Sequence, residues 1–411
     1  MKRGGPVAVV LILGILLVAA LMGADRRQPS PLKRGPVIRP QRIGRALASS
    51  SEYLLGRQSS DGAWRSKHYS NFRDGTALTP LVCLALLESA ANRPDVDKAV
   101  EKAIVYLDGL MRDDGTPRAK LSYPTYTAAL AVSVLTRVPG HEHQRDAWIR
   151  YLRDRQLDES LGWDRQDSSY GGWGYAKEPP RKPPEGIAVP TLDQPNLSAT
   201  IFVLDALREA GLPSEDPLWA KTRRFVEHCQ NHAQDSEDTV DNGGFFFMPG
   251  DVVRNKAGQR PSGAGEERRF VSYGSATADG LRALLRCGAS TDDPRVLAAR
   301  TWLEKHFSAE HHPGEYVERR EHLRPALFFY YGDSVSKTMS ELAKRELVDP
   351  DIGREWSRSL AAELLRRQRP DGSWANVAVD VREDDPLVAT SLAVMALTRC
   401  REILGTTDER P

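Results

Sequence analysis

LLGRQSSDGAW, residues 54–64, returns about three hundred residues later as LLRRQRPDGSW, residues 364–374. The copies share one spacing: Gln58, Gly62 and Trp64 in the first, Gln368, Gly372 and Trp374 in the second. The same punctuation at both ends marks a repeat architecture. The residues between alternate two helix types. One is charged, with apolar residues three and four apart, over 42–58, 95–110, 143–156, 217–230, 293–307 and 352–368. A single apolar stripe predicts outer helices. The other is rich in Ala and apolar nearly all round, over 76–90, 125–138, 196–211, 273–288, 324–342 and 386–400. Such helices must be surrounded by protein.

Links from an inner helix to the next outer one are short (91–94, 139–142, 289–292), whereas those from outer to inner are long, notably 157–195, 231–272 and 308–323. Short links make neighbours antiparallel, so all inner helices point one way. The fold class is therefore all-α, an α/α toroid (α6/α6 barrel) of six helical hairpins over 41–402. Its long loops gather where the inner helices begin. Unpaired N–H groups of six first turns face that mouth, and a ligand site is expected there. The candidate lining residues are Asp74, Tyr126, Trp173, Tyr175, Asp193, Tyr273 and Asp333.

Composition agrees with a soluble body: 40% hydrophobic, 27% charged, with 57 basic against 56 acidic residues. That balance gives nucleic acid no basic surface to bind. Lys2 and Arg3 precede an uncharged apolar run, Val7 to Met22, which predicts export. Residues 1–24 read as a signal peptide, or as an N-terminal membrane anchor if uncleaved. Location is then periplasmic, extracellular or anchored to the membrane. Residues 25–40, DRRQPSPLKRGPVIRP, read as a basic, Pro-rich linker, and 403–411 as a polar tail. Four cysteines in 411 residues make no disulfide scaffold. Closure of the ring would bring Cys83 and Cys400 onto adjacent helices, where two buried thiols are favoured over a bridge.

The two quoted segments resemble the QW motif repeated in squalene-hopene cyclases and other proteins of the terpenoid cyclase and protein prenyltransferase superfamily. Weaker forms are Gln156 with Gly162 and Trp163, then GGWGY (171–175), and Gln230 followed by GGFFF (243–247). The resemblance implies the toroid and gives Gln and Trp a structural role, joining helix ends. It implies less about chemistry.

A class II cyclase protonates its substrate with an acidic D-x-D-D motif. The nearest stretch here is REDDP, 382–386, in which Arg382 replaces the first Asp. Asp384 and Asp385 are the candidate acids if the chain is an enzyme, and that enzyme would be isoprenoid cyclase-like. Two acids before a helix also serve simply as dipole partners. The zinc-binding D-x-C element of prenyltransferases is missing, His228 and His232 read as solvated histidines at an outer helix end, and the pairs His141 and His143, and His311 and His312, sit in loops and carry as little weight. No metal or cofactor is expected. A carbohydrate-active α/α barrel would use Trp173, Tyr175 and Asp193. The reading preferred on sequence is a non-catalytic toroid that binds an apolar or isoprenoid, peptide or glycan ligand at its mouth, or acts as a scaffold.

Overall fold

The computed structural model describes residues 38–90, 92–233, 241–261 and 268–405. The apolar run, most of the linker and the end of the tail lie outside these residues. Among the described residues no helix is long and apolar enough to cross a membrane.

Six hairpins follow one another, outer helix first: α1 (Pro40–Leu55) with α2 (Leu78–Ala90), α3 (Pro94–Asp108) with α4 (Pro124–Arg137), and α5 (Glu142–Arg153) with α6 (Leu197–Glu209). Then come α7 (Pro217–His228) with α8 (Gly274–Arg286), α9 (Pro294–His306) with α10 (Phe328–Lys344), and α11 (Pro350–Arg367) with α12 (Pro386–Gly405). The inner helices form a closed ring, in which α2 packs on α4, and so on round to α12, which packs back on α2. Outer helices keep the predicted single stripe, as with Val96, Ala99, Val100, Ala103, Ile104 and Leu107 buried on α3. In α2 every residue from Leu78 to Leu86 is buried. Three outer helices start on Asp-Pro, where Pro supplies the first-turn φ and Asp216, Asp293 and Asp349 accept from the N–H of Leu218, Arg295 and Asp351 at 3.0, 2.9 and 2.7 Å.

The repeated residues hold the outer helices together. Gln58 Nε2 donates to Gly62 O at 3.0 Å and to Ala99 O of the next outer helix at 2.8 Å. At the far end Gln368 Nε2 donates to Gly372 O at 3.0 Å and to Ala46 O at 2.9 Å, which ties the last repeat to the first outer helix. Trp64 and Trp374 are fully buried and donate through Nε1 to Leu54 O and Leu364 O, each at 2.7 Å. Gly62 and Gly372 have φ of +89° and +84°, and a Cβ on either would stand 2.2 Å from Lys102 O or 2.5 Å from Ser49 O. Only Gly meets both demands.

Three details depart from expectation. In the third repeat Gln156 pairs with Gly171 and Trp173, whose Nε1 reaches Leu152 O at 2.8 Å, rather than with Gly162 and Trp163. Trp163 instead packs in a satellite cluster with Leu157, Leu161 and Tyr170. The fifth inner helix begins at Phe328 instead of 324, because Pro325 breaks the approach into 3-10 turns at Glu318–Leu323 and Pro325–Leu327. A short antiparallel ribbon, β1 (Gln259–Pro261) and β2 (Arg268–Phe270), decorates the loop before α8.

Cys83 and Cys400 sit on the neighbouring helices α2 and α12, and all four cysteines are free and buried. Burial pushes the thiols of Cys83 and Cys400 up to about 12.

Candidate functional site

Polar side chains from the loops occupy most first turns of the inner helices. Asn196 Oδ1 accepts from Ala199 N–H at 2.9 Å on α6, and Asp385 Oδ1 from Leu387 N–H at 2.9 Å on α12. His312 Nε2 accepts from Ser275 N–H at 2.8 Å on α8, which makes it the neutral tautomer with Nδ1–H toward Tyr316 Oη at 2.7 Å. The Glu383 carboxylate takes the N–H groups of Phe329 and Tyr330 on α10 at 2.9 and 2.7 Å. Asp74 accepts from Thr76 N–H at 3.0 Å just before α2 and from Ser122 Oγ at 2.7 Å. The mouth therefore has much of its dipole field already answered from within.

What remains open at the mouth is an apolar cavity of about 250 Å³. Every inner helix contributes to its wall: Leu78 and Leu81 from α2, Tyr126 from α4, Ser198 from α6, Ser275 from α8, Tyr330 from α10, and Val388 and Leu392 from α12. Loops add Phe72, Tyr123, Tyr175, Phe247, Lys256, Tyr273, Arg382 and Glu383. The aromatic residues interlock. Phe72 and Tyr123 lie 5.4 Å apart, Tyr123 and Tyr175 meet edge to face at 6.1 Å, and Tyr126 packs on Phe202 at 4.0 Å. Burial pushes the Tyr175 phenol up to about 12, so it stays a neutral donor. The volume falls below the roughly 300–1,000 Å³ of drug-sized ligand pockets, so the occupant is compact or enters by its end.

Below the cavity the axis is filled. Tyr330 Oη accepts from Ser198 and donates to Asp279 Oδ2, both at 2.7 Å. Asp279 in turn meets Ser334 Oγ and Arg282. Arg282 reaches Asp205 at 3.2 Å, Arg286 reaches Asp205 at 3.0 Å, and Arg399 joins Asp333 at 2.8 Å and Glu88 at 2.6 Å. Burial raises the Asp279 carboxyl against the pull of Arg282. The barrel is thus aromatic above and ionic below.

Of the residues expected at the mouth, Tyr126, Tyr175 and Tyr273 line the cavity. Trp173 is wholly buried in its helix joint, and Asp333 lies in the ionic floor, paired with Arg399 and with Lys337 at 3.0 Å. Asp193 sits outside the lining, half-buried, with its carboxyl raised by burial. Asp74 is exposed and serves the loop contacts above.

The three successive acids diverge. Glu383, 1% exposed, lines the cavity, and burial raises its carboxyl to about 7 despite its N–H partners. Asp384 lies 2.6 Å from Tyr69 Oη, and Asp385 takes Ser66 Oγ as well as its cap, so neither belongs to the wall. Arg382 turns the chain here with φ of +71°, its guanidinium 4.3 Å from the Tyr69 ring centre. Glu383 stands in the free position of the broken acidic motif, and Phe247, Lys256 and Tyr330 carry no pattern that a sequence reading could single out. Among the described residues no group of three or more His, Cys, Asp or Glu side chains is gathered to hold a metal ion.

No protein-family model matches the chain, and no curated protein matches it in sequence. Solved structures do. The apo type II terpene cyclase MstE from Scytonema is 13% identical with a TM-score of 0.57, over 89% of this chain and 100% of that one. The unsaturated glucuronyl hydrolase of Bacillus sp. GL1 is 13% identical with a TM-score of 0.54, over 87% of this chain and 96% of that one. The GH76A alpha-1,6-mannanase from Salegentibacter sp. HEL1_6 is 8% identical with a TM-score of 0.52, over 88% and 99%. The chain has a helical toroid fold, the fold of this terpene cyclase and of these two glycoside-cleaving enzymes.

Proposed function

We propose that the chain is an exported toroid that binds a compact apolar ligand, isoprenoid in character, in the aromatic cavity at its mouth. The observation that carries this reading is the wall itself, in which all six inner helices converge on one aromatic-lined space. Such a wall rewards hydrocarbon by removing it from water and favours polarizable or unsaturated groups against the ring faces. MstE has been solved with geranylgeranyl dihydroxybenzoate, which makes an isoprenoid the natural first probe. The purified protein incubated with a lipid extract should retain a discrete set of small apolar molecules, identified by mass spectrometry after re-isolation. Retention of glycans alone, or of nothing, would sink the reading. Export rests on the Val7–Met22 run, and N-terminal sequencing of the protein recovered outside the cytoplasm tests it.

One observation favours a second reading, isoprenoid cyclisation. Glu383 is a carboxyl in an aromatic cavity with its proton affinity raised toward neutrality, so a substantial protonated fraction exists near pH 7. In that reading Glu383, rather than Asp384 or Asp385, delivers the proton, and the tyrosine and phenylalanine faces stabilise the cation. Glu383→Gln separates the two readings: it abolishes turnover of an isoprenoid if the cavity is catalytic and leaves ligand retention largely intact if it only binds. Carbohydrate cleavage draws no support from the wall, because a glycosidase needs a facing pair of carboxyls and among the described residues Glu383 is the one that lines the cavity.

A further inference from the structure

Lys256 shares the cavity wall with two other charged side chains, Arg382, which lies over the Tyr69 ring, and Glu383, which is held by the N–H groups of Phe329 and Tyr330; the rest of the wall is aromatic, aliphatic or serine. The place of Lys256 is fixed from both sides. Asn255, fully buried, accepts from Phe247 N–H at 2.8 Å and donates to Met248 O and Asp251 O at 2.8 and 2.6 Å, while Ala257 O accepts from Val317 N–H at 3.0 Å. Among the described residues no carboxylate comes within ion-pair distance of its amine, and no acceptor hydrogen-bonds to it. The charges around it are otherwise engaged: Arg254 with Asp251 at 3.0 Å and Gln194 at 2.7 Å, Arg320 with the carbonyls of Val252 and Val253. Asp380 is the further acid in electrical range. Burial and the two arginines lower the Lys256 pKa. Each unit of lowering raises the free-amine fraction at neutral pH about tenfold.

An unpaired amine kept partly from water beside aromatic rings is a nucleophile in waiting. We propose that the cavity takes an apolar aldehyde or ketone and holds it covalently as an imine on Lys256 Nζ. The Nζ lone pair bonds to the carbonyl carbon. The carbonyl oxygen then leaves as water with the two hydrogens of the neutral amine, and a C=N bond replaces C=O. No oxidant or reductant enters, and hydrolysis returns the carbonyl compound. The proposal rests on the apolar-ligand reading and names its ligand more closely.

The full-length protein is incubated with citral, an isoprenoid aldehyde, and separately with the related alcohol geraniol, whose binding is followed by tyrosine fluorescence. Sodium cyanoborohydride then reduces any imine to a stable secondary amine. The expected result is one reduced adduct per chain by intact mass, mapped by peptide analysis to Lys256, and lost in Lys256→Arg. Geraniol bound without a citral adduct, or adducts scattered over surface lysines and unchanged in Lys256→Arg, overturns the imine and leaves the apolar-ligand reading standing. Neither compound bound overturns both. Should the variant fail to fold, the adduct map of the unmodified sequence decides alone.

Discussion

His312 is fully buried between Tyr273, Tyr316 and Tyr331 and holds the first turn of α8 as a neutral imidazole, with its pKa lowered by burial from 6.5 to about 3. The unfolded chain protonates this residue as pH falls through 6.5, whereas the folded chain does not until about 3. Stability contributed by the neutral form is therefore present above pH 6.5 and lost between 6.5 and about 3, by on the order of 5 kcal/mol in all. Glu383 works the other way, because its raised carboxyl disfavours the fold as pH rises from 4.5 to about 7. Thermal melts across pH 4–7 should fall less steeply toward acid in His312→Asn than in the parent, and an unchanged slope would remove His312 from this role. The same scale shows why the sequence did not single out Glu383 as the carboxyl that lines the cavity. Spacing pointed to Asp384 and Asp385, but the left-handed turn at Arg382 sends three adjacent carboxyls in three directions, and a non-glycine residue gives no warning of that turn.

At the scale of the element, the helical hairpins were legible because two independent signals agree, a period of three and four residues on outer helices and a joint with fixed residue types. The joint is richer than its signature. Trp64 N–H donates to Thr79 Oγ1 at 3.1 Å and Trp374 N–H to Thr390 Oγ1 at 2.9 Å, so each joint is also pinned to the inner helix that follows it. Trp173 N–H and Phe245 N–H repeat this with Thr200 and Thr277 at 3.1 and 3.0 Å. The two threonines that anchor the outermost joints lie 15 and 16 residues beyond the tryptophan, too far and too common in type to stand out. Register in the third repeat was misread because its loop contains two Gly-Trp pairs, and only packing distinguishes them. Gly372→Ala should destabilise by about 2 kcal/mol or more, since it combines a left-handed φ with a Cβ pressed on Ser49 O. Gln368→Ala should cost about 1–2 kcal/mol through lost bonds to Ala46 and Gly372. Urea unfolding checks both, and equal effects from the two substitutions would contradict this ordering.

Across the whole molecule, the barrel divides its axis between two solvents of its own making. The aromatic half holds the candidate site. The ionic half closes the base, where six helix C-termini converge and arginines offset their dipoles. None of this division was readable from composition, since the acids and bases of the floor come from five separate inner helices, α2, α6, α8, α10 and α12, and balance to near neutrality. Arg282 is the floor's most buried cation, bridging Asp205 and Asp279. Arg282→Met should lower stability by about 3–5 kcal/mol, because it leaves the buried Asp279 without its paired cation and Asp205 with Arg286 alone. It should also move the stability maximum toward lower pH, because a buried carboxyl deprived of its cation is better tolerated protonated, and calorimetry across pH measures both effects.

The bond from Gln368 to Ala46 also sets a clock. At roughly 5–20 residues per second, translation of the three hundred or so residues between the first joint and the last takes about 15–60 s. Throughout that interval α2 shows the nascent chain an apolar flank whose partner, α12, does not yet exist. Each new hairpin moves the second open flank along without removing it. A chain stopped before α12 is thus no smaller ring, only a notched one with two sticky edges, and quality control has a single late event to wait for.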